Sequence, residues 1–377
     1  MKKTIVVSAV NLNAGGTLTI LRDCLQYLSR LAEQNEYKII ALVHKRELAD
    51  YPRITYIEMR WPKKSWIGRL WCEYVTMRRI SQDLAPVYLW LSLHDTTPNV
   101  TAERRAVYCH NPFPFYKWKA REWLFTPKIV MFALFSKWIY RVNIYGNRHI
   151  VVQQQWIKDA FLKWFDLDNK AVIVAPPPKE EECHNKLSSG VSELEHQRPL
   201  KKTFVFFYAA TANSHKNFEI LCAAAQMLYE RLGNEHFEVH ITVKGDENGY
   251  GRWLYHKWGR CPSIKFIGFL NREKLYQLYE RADCLVFPSK IETWGLPITE
   301  FAAYHKPMLL TDLPYAYETA SGCDFVSFFD PDNFTQLADQ MQDLITGNHT
   351  GLKRAKKITL TTPVAESWHE LFALLLK

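Results

Sequence analysis

Two glutamates eight positions apart, Glu292 and Glu300, are the residues of this sequence whose types and spacing suggest chemistry most clearly. A short apolar run, 285–287, precedes them, and a helix-like stretch, 301–304, follows them. Pro297 suits the start of that helix, because proline has no N–H and the first N–H groups of a helix have no partner within it. The segment is therefore predicted to be a strand, a glycine-bearing loop and a helix.

This arrangement would place both carboxylates at the end of a sheet where open α/β proteins bind ligands. Gly295, Leu296 and Pro297 open the predicted helix, and the free N–H groups there would attract a phosphate. Glu300 could accept two hydrogen bonds from a vicinal diol such as a ribose, and Glu292 could bind a sugar ring in the same way. The alternative is that Glu300 only favours the helix dipole and Glu292 is solvated.

The glutamate pair and its neighbours resemble the E-x7-E motif of the family 4 retaining glycosyltransferases (glycosyl transferases group 1), which have the GT-B fold. A second segment resembles the phosphate-binding loop of that family, usually G-R-x4-K-N. Lys216 and Asn217 match it, although Lys216 could also be a solvated lysine at a helix start. Thr211 stands where an arginine is usual, and His215 is a candidate replacement. The resemblance covers most of the chain and is strongest over 203–331.

In the first half of the chain, Gly15 and Gly16 separate a predicted strand, 5–10, from a predicted helix, 17–32. Glycine lets the backbone approach a ligand closely, although a tight turn also explains the pair. His110 follows another predicted strand and would lie at the same edge of a parallel sheet. The resemblance implies that the two glycines lie beside the donor phosphates and the acceptor, and that the histidine contacts the donor sugar. A structural histidine is the alternative.

The resemblance further implies transfer from a nucleotide diphosphate sugar with retention of the anomeric configuration. We expect catalytic roles for His110 as a polar contact, for Lys216 as a cation on the departing phosphate, and for Glu292 on the sugar. Asp-x-Asp occurs at 166–168 and 330–332, but in predicted loops without further metal ligands. We therefore predict no required metal ion and no cofactor, since the nucleotide sugar is a substrate.

Strand and helix patterns alternate along the chain, which is typical of parallel, doubly wound sheets. We therefore expect an α/β protein with the GT-B fold, in which two Rossmann-like parallel-sheet domains face a central cleft. The predicted parts are an N-terminal acceptor-side domain, 1–175, a polar linker, 176–202, a C-terminal donor-binding domain, 203–358, and a C-terminal helix that crosses back to the first domain, 359–377.

The sequence has 377 residues and a formal net charge of +9, and the excess of positive charge lies in the first 175 residues. Lysine and arginine alternate with tryptophan and phenylalanine in two stretches, 59–79 and 116–148. Indole rings favour membrane interfaces and cations favour anionic headgroups, so these stretches predict contact with an anionic membrane surface. The alternatives are rings that pack inward and a surface for single-stranded nucleic acid.

Eight cysteines without paired spacing indicate neither a zinc site nor a disulfide framework.

Together these features predict a metal-independent hexosyltransferase that uses a UDP- or GDP-sugar and a glycan or polyprenyl-linked glycan acceptor. No apolar run is long enough to span a membrane or to form a signal peptide core, so we expect a cytoplasmic protein, peripheral on the inner face of the cytoplasmic membrane. The expected setting is bacterial surface polysaccharide synthesis, such as O-antigen, capsule or lipopolysaccharide. The alternatives are a GT-B nucleotide-sugar epimerase and a basic nucleic-acid-binding protein, but no nucleic-acid fold signature occurs and no nucleic-acid partner is expected.

Overall fold

The computed structural model describes residues 2–177, 203–233 and 235–377, so the predicted linker lies almost entirely outside the described residues. The described residues form two compact α/β units. The first unit comprises 2–114, 134–177 and 360–377, and the second comprises 115–133, 203–233 and 235–359.

Each unit contains one parallel sheet. The strands of the first sheet are β1 (Lys3–Ala9), β2 (Tyr37–Val43), β3 (Ile54–Glu58), β4 (Val87–Ser92), β5 (Arg104–Cys109), β6 (His149–Val152) and β7 (Val172–Val174). The strands of the second sheet are β8 (Phe204–Tyr208), β9 (Phe237–Ile241), β10 (Ile264–Phe266), β11 (Cys284–Phe287), β12 (Met308–Thr311) and β13 (Val326–Phe329). All neighbouring strands pair in parallel, as the alternating sequence pattern predicted.

The strand orders are β3-β2-β1-β4-β5-β6-β7 and β10-β9-β8-β11-β12-β13. In each sheet the order reverses beside the first strand, between β1 and β4 and between β8 and β11. Open α/β sheets bind their ligands beyond the carboxyl ends of the strands at such a switch point. The loops that follow these four strands are therefore where a ligand site is expected in each unit.

Helices connect the strands. They are α1 (Gly15–Leu31), α2 (Trp66–Trp71), α3 (Met77–Asp83), α4 (Glu122–Phe125), α5 (Pro127–Arg141), α6 (Gln155–Phe165), α7 (Phe218–Leu232), α8 (Gly249–Trp258), α9 (Arg272–Arg281), α10 (Leu296–Ala302), α11 (Pro314–Thr319), α12 (Phe334–Ile345) and α13 (Trp368–Leu375). Within the described ranges, no helix is both long and apolar enough to cross a bilayer.

The first sheet is buried on both faces, which explains the continuous apolar run in β1. Ile5 and Val7 point to one face, where they pack with Leu25 of α1. Val6 points to the other face and packs with Trp90. The last helix, α13, joins the first of these clusters, so the end of the chain completes the core of the first unit.

Residues 115–133 lie within the predicted first domain, 1–175, but they group with the second unit in the structure. The physical reason is a set of long-range polar contacts made by α4 and the residue that follows it. Glu122 pairs with Lys290 at 2.8 Å, and the hydroxyls of Thr126 and Ser214 lie 2.6 Å apart. The residues of the ion pair are 168 positions apart, so local sequence patterns do not indicate it.

Candidate active site

Two predicted site residues of the second unit, Lys216 and Glu292, meet at the switch point of its sheet. Lys216 lies in the loop after β8, 209–217, here called the lysine loop, and Glu292 lies in the loop after β11, 288–295, here called the glutamate loop. The Nζ of Lys216 is 2.5 Å from the Oε1 of Glu292, and the two side chains are only 18% and 15% exposed. A phosphate that binds Lys216 must therefore share the ammonium group with Glu292 or replace it.

The lysine loop is held by its own backbone and by buried polar contacts. Asn217 adopts a left-handed conformation (φ 57°), which asparagine tolerates better than most residues. Its Nδ2 donates to the carbonyl of Pro331 at 2.8 Å, and this contact anchors the loop. The hydroxyl of Tyr208 donates to the carbonyl of Lys216 at 2.9 Å. Thr211 is exposed, and its hydroxyl accepts a hydrogen bond from Asn213.

His215 does not supply the positive charge of the missing arginine. Burial, together with the charges of Lys216 and Lys290, holds the pKa of His215 well below its ordinary value. The imidazole is therefore neutral at neutral pH, and its ring meets the edge of Tyr116. Lys216 remains the cation that the lysine loop can present to a phosphate.

The glutamate loop is rigid because its carbonyl groups are satisfied by buried hydroxyls. The carbonyl of Ser289 accepts hydrogen bonds from Thr311 at 3.1 Å and from Tyr315 at 2.6 Å. The hydroxyl of Thr319 donates to the carbonyl of Trp294. These contacts fix the backbone on both sides of Glu292, so its carboxylate is placed by the fold.

Gly295 ends the glutamate loop in a conformation that favours glycine, with φ +89°. A Cβ added there would also lie 3.3 Å from the Cδ1 of Ile298. Helix α10 follows directly, starting at Leu296 with Pro297 as its second residue. The predicted strand, glycine loop and helix are therefore present in the structure.

Glu300 lies on α10 and is half-buried. The hydroxyl of Tyr279 donates to its Oε2 at 3.0 Å. Burial raises the pKa of Glu300 above its ordinary value, although Tyr279 and Arg272 oppose the shift. The fold thus holds a carboxylate in a place that penalises its charge, and a diol donating two hydrogen bonds would relieve that penalty.

In the first unit, Gly15 and Gly16 lie where β1 passes into α1. Gly15 is the first residue of the helix and has φ +62°. The preceding residue, Ala14, provides no side-chain cap, so the N–H groups of the first turn have no capping side chain. An added Cβ on either glycine would meet nothing within 4 Å. The geometry fits both interpretations of the pair, a tight turn and an open approach to a helix N-terminus.

His110 follows β5 and is buried. Its Nε2 lies 2.5 Å from the carbonyl oxygen of Leu93, so Nε2 is a donor, and in the neutral imidazole Nδ1 would present a lone pair. Nδ1 is buried and has no hydrogen-bond partner among the described residues. Asp95 accepts hydrogen bonds from the backbone N–H groups of His110 and Asn111. The ring is thus fixed with an acceptor nitrogen that suits a ligand hydroxyl, as the predicted polar role requires.

A buried polar network in the first unit was not expected from the sequence. Glu73 accepts hydrogen bonds from Arg69 at 2.9 Å and from Thr96 at 2.5 Å, and it lies 3.1 Å from His94. The other nitrogen of His94 lies 2.9 Å from the hydroxyl of Ser8 at the end of β1. Burial raises the pKa of Glu73, but His94, Arg69 and Thr96 outweigh it and lower the pKa to about 2. The one available signal was that Glu73 is the only acid in the stretch 59–79.

The helix that carries this network also exposes a set of apolar side chains. Residues 72–76 form a π-helical turn that joins α2 to α3, and Cys72 and Glu73 point inward from it. The outer side of α2 presents Trp66, Ile67, Leu70 and Trp71 to solvent, and Ile67 is 80% exposed. The rings of this stretch therefore do not pack inward. In the second stretch, 116–148, the exposed large apolar residues are Trp118, Trp123, Leu124, Met131, Leu134, Phe135, Trp138, Val142 and Tyr145.

The two Asp-x-Asp sequences serve local structure. Asp168 accepts from the N–H of Lys170, and Asp330 accepts from the N–H of Asp332. Asp332 also pairs with Lys119 at 2.6 Å. Across residues 2–177, 203–233 and 235–377, no three side chains of the metal-binding types come together.

Residues 192–359 match the sequence model of the family Glycosyl transferases group 1. An uncharacterized glycosyltransferase of Methanocaldococcus jannaschii is 26% identical over 36% of this chain and 32% of its own length. The O-antigen chain mannosyltransferase RfbU of Salmonella typhimurium is 17% identical over 60% of this chain and 56% of its own length. The chain thus spans between a third and somewhat more than half of these curated relatives.

Among solved structures, the apo form of the lipopolysaccharide outer core galactosyltransferase WaaB is similar over 99% of both chains, with a TM-score of 0.57 and 10% identity. At that identity the likeness shows the fold alone. The glutamate pair and the lysine loop both lie within the matched family region. Residues 203–359 of the second unit therefore fall within a match to the family Glycosyl transferases group 1, and the two parallel-sheet units have the GT-B fold.

Proposed function

We propose that this chain is a retaining glycosyltransferase that moves a hexosyl group from a UDP- or GDP-sugar to a glycan or a polyprenyl-linked glycan. The observation that carries the proposal is the meeting of Lys216 and Glu292 at the switch point of the group 1 domain. The pair combines a cation suited to a phosphate with a carboxylate suited to sugar hydroxyls. Glu300, held by Tyr279, adds a second carboxylate on the helix that follows.

Each residue would have a separate task. Lys216 would stabilise the negative charge that grows on the diphosphate as the bond to the anomeric carbon breaks, an interaction stronger in the transition state than in the ground state. Glu300 would accept hydrogen bonds from the ribose diol, and Glu292 from hydroxyls of the transferred sugar. His110 would accept one from a sugar hydroxyl through Nδ1. The departing phosphate would help to accept the proton of the attacking hydroxyl, so no metal ion is needed.

The exposed face of α2 supports an acceptor at a membrane. Trp66 and Ile67 are exposed next to the exposed Lys63 and Lys64, a combination that favours an anionic bilayer surface. A nucleotide-sugar epimerase would need no such surface. The relative RfbU is named for O-antigen chains, which supports a role in bacterial surface polysaccharide synthesis at the inner face of the cytoplasmic membrane.

The test of the donor is thermal unfolding of the metal-stripped protein with UDP, GDP and their hexose derivatives in excess EDTA. A true donor present at 100 times its Kd should stabilise the fold by about 2.7 kcal/mol. Release of the nucleoside diphosphate from that donor should continue in EDTA. If no nucleotide raises the melting temperature, or if activity requires added Mg²⁺ or Mn²⁺, the proposed donor or its metal-independent use is wrong.

The test of the membrane surface is flotation with neutral and anionic liposomes. Each lysine contributes about 1 kcal/mol near an anionic surface, so the double change Lys63→Gln and Lys64→Gln should weaken binding roughly thirtyfold. The matched control is Lys356→Gln with Lys357→Gln, another adjacent exposed pair, which should bind normally. Equal losses in both variants would indicate attraction by net charge alone, and tight binding to oligonucleotides without liposome binding would contradict the surface.

A further inference from the structure

Lys290, two residues before Glu292, is the centre of a buried charge cluster in the second unit. Its Nζ lies 2.8 Å from the Oε1 of Glu122 and 3.5 Å from the Oε1 of Glu219. The side chains of Lys290 and Glu122 are 9% and 2% exposed. The hydroxyl of Tyr116 donates to the other oxygen of Glu122 at 2.5 Å. Both oxygens of the Glu122 carboxylate are therefore committed to fixed partners.

The cluster joins the elements that carry the proposed donor residues. Glu219 lies in the first turn of α7, directly after the lysine loop. Lys290 belongs to the glutamate loop, and its backbone N–H donates to the carbonyl of His215 in the lysine loop at 2.8 Å. Glu122 opens α4 in the segment 115–133. Lys290 thus connects the glutamate loop to the lysine loop through its backbone N–H, and to α7 and α4 through its ammonium group.

The burial of these charges indicates a role in geometry. A buried ion pair stabilises a fold little more than apolar residues of similar volume, because removing both charges from water offsets their attraction. Its directional contacts, however, fix the relative positions of the groups that it joins. The second carboxylate of the cluster, that of Glu219, has further partners. Arg121 donates to it at 2.9 Å, and Tyr250 also donates to it.

We propose that Glu122 and Lys290 are positioning residues of the donor site. They hold the lysine loop and the glutamate loop in the relative positions that bring Lys216 and Glu292 into contact. This inference rests on the proposed donor-binding function of the second unit. It adds that the site is completed by Glu122, which lies outside the matched family region, 192–359, on α4 between β5 and α5.

The first experiment measures the positioning itself, by hydrogen exchange of the unliganded protein. Glu122→Gln keeps the size of the side chain but removes its charge. Exchange in peptides that cover the two loops should become about tenfold faster as local opening increases, while the rest of the second unit is unchanged. The matched control is Asp339→Asn, which removes an exposed pair with Arg231. Unchanged exchange in both loops would overturn the inference, whatever nucleotide the protein binds.

The second experiment measures the consequence for the donor site, by calorimetric titration with UDP and with GDP. Glu122→Gln and Lys290→Met should each weaken the nucleotide that the wild type binds by about ten- to a hundredfold, because small displacements of binding groups are costly. The double variant should bind no worse than the weaker single variant. A purely structural pair would lower the melting temperature and leave affinity unchanged, which would overturn the inference. If the wild type binds neither nucleotide, the proposed donor fails, and the exchange experiment still decides the positioning role.

A milder variant keeps the test decisive if Glu122→Gln does not fold. Tyr116→Phe removes the hydroxyl that donates to Glu122 and that also contacts the side chain of Ser214 in the lysine loop, and it leaves the ion pair with Lys290 in place. It should produce the same changes in loop exchange and nucleotide affinity, at smaller amplitude. Normal exchange and normal affinity in this variant would contradict the proposal.

Discussion

Changing Glu292 to glutamine should separate nucleotide binding from sugar transfer. In the unliganded protein, Glu292 already occupies Lys216, the cation proposed to bind the diphosphate. A nucleoside diphosphate without a sugar competes with this carboxylate for the ammonium group of Lys216. It has no sugar hydroxyls that could donate hydrogen bonds to Glu292. We therefore expect Glu292→Gln to bind UDP or GDP more tightly than the wild type, although it removes a proposed catalytic residue.

The size of the gain follows from the contact at 2.5 Å between the Nζ of Lys216 and the Oε1 of Glu292. Hydrogen bonds to charged groups contribute about 1.5–3 kcal/mol net, and neutral ones about 0.5–1.5 kcal/mol. Glutamine keeps a neutral acceptor for Lys216, so the competition should weaken by about 1 kcal/mol, or about fivefold in Kd. Transfer should instead slow by about ten- to a hundredfold, because the carboxylate no longer accepts charge-assisted bonds from the sugar.

Calorimetric titration with the free nucleoside diphosphate and steady-state turnover with its sugar form measure the two effects. The control is a double-mutant cycle with Lys216→Met, in which Glu292→Gln should bring no gain in affinity because its partner is absent. If Glu292→Gln weakens the free nucleotide as much as it slows transfer, the carboxylate does not compete for Lys216. The ion pair would then persist in the complex, and the reasoning above would be wrong.

Three further predictions concern other residues. Lys216→Ala should reduce turnover more than it weakens binding of the intact donor, and equal losses in both would remove its transition-state role. Glu300→Gln should weaken nucleotide binding by about 1.5–3 kcal/mol yet raise the melting temperature at neutral pH, because burial raises the pKa of Glu300 and its charge costs stability above that pKa. This gain should disappear as the pH falls below the ordinary value of 4.5, and a gain that persists there would exclude the charge as its cause. Glu73→Gln should lower the free energy of unfolding in denaturant titrations by about 3 kcal/mol at pH 7, given about 1.36 kcal/mol per pKa unit between 4.5 and about 2. Because the folded pKa of Glu73 is lowered, its contribution is present above pH 4.5 and is lost towards pH 2, so a pH-independent difference would contradict the reasoning.

The sequence predicted those parts of the fold that depend on local pattern. Apolar runs marked the buried strands, and the order of strands and helices indicated two parallel sheets, which the structure confirms. The segment around Gly295 was predicted as strand, loop and helix because glycine and Pro297 have backbone preferences that are visible in a single sequence. Lys216 and Glu292 were both selected from motif spacing, and the structure brings them together.

The parts that the sequence did not predict depend on contacts between distant residues. Asn217 matched a ligand-binding motif, yet its amide donates to Pro331, which lies 114 positions away. The pKa of His215 is lowered mainly because the fold buries the ring, and then by the charges of Lys216 and Lys290. The burial and the approach of Lys290 could not be inferred from the position of His215 beside Lys216. Residues 115–133 contain no signal that they join the second unit, because the partner of Glu122 follows 168 positions later.

The two carboxylates of the motif are held by different means, and the difference indicates how the site is prepared for a ligand. Glu292 lies beside Lys216, so an incoming phosphate meets a cation that is already placed and needs only to exchange partners. Glu300 instead accepts a hydrogen bond from Tyr279, and burial raises its pKa although Tyr279 and Arg272 oppose the shift. A fold selected for stability alone would place an apolar or amide side chain at that position. The penalty is explained if a ligand supplies the missing hydrogen bonds, because the energy that the unliganded protein loses at Glu300 is then recovered on binding.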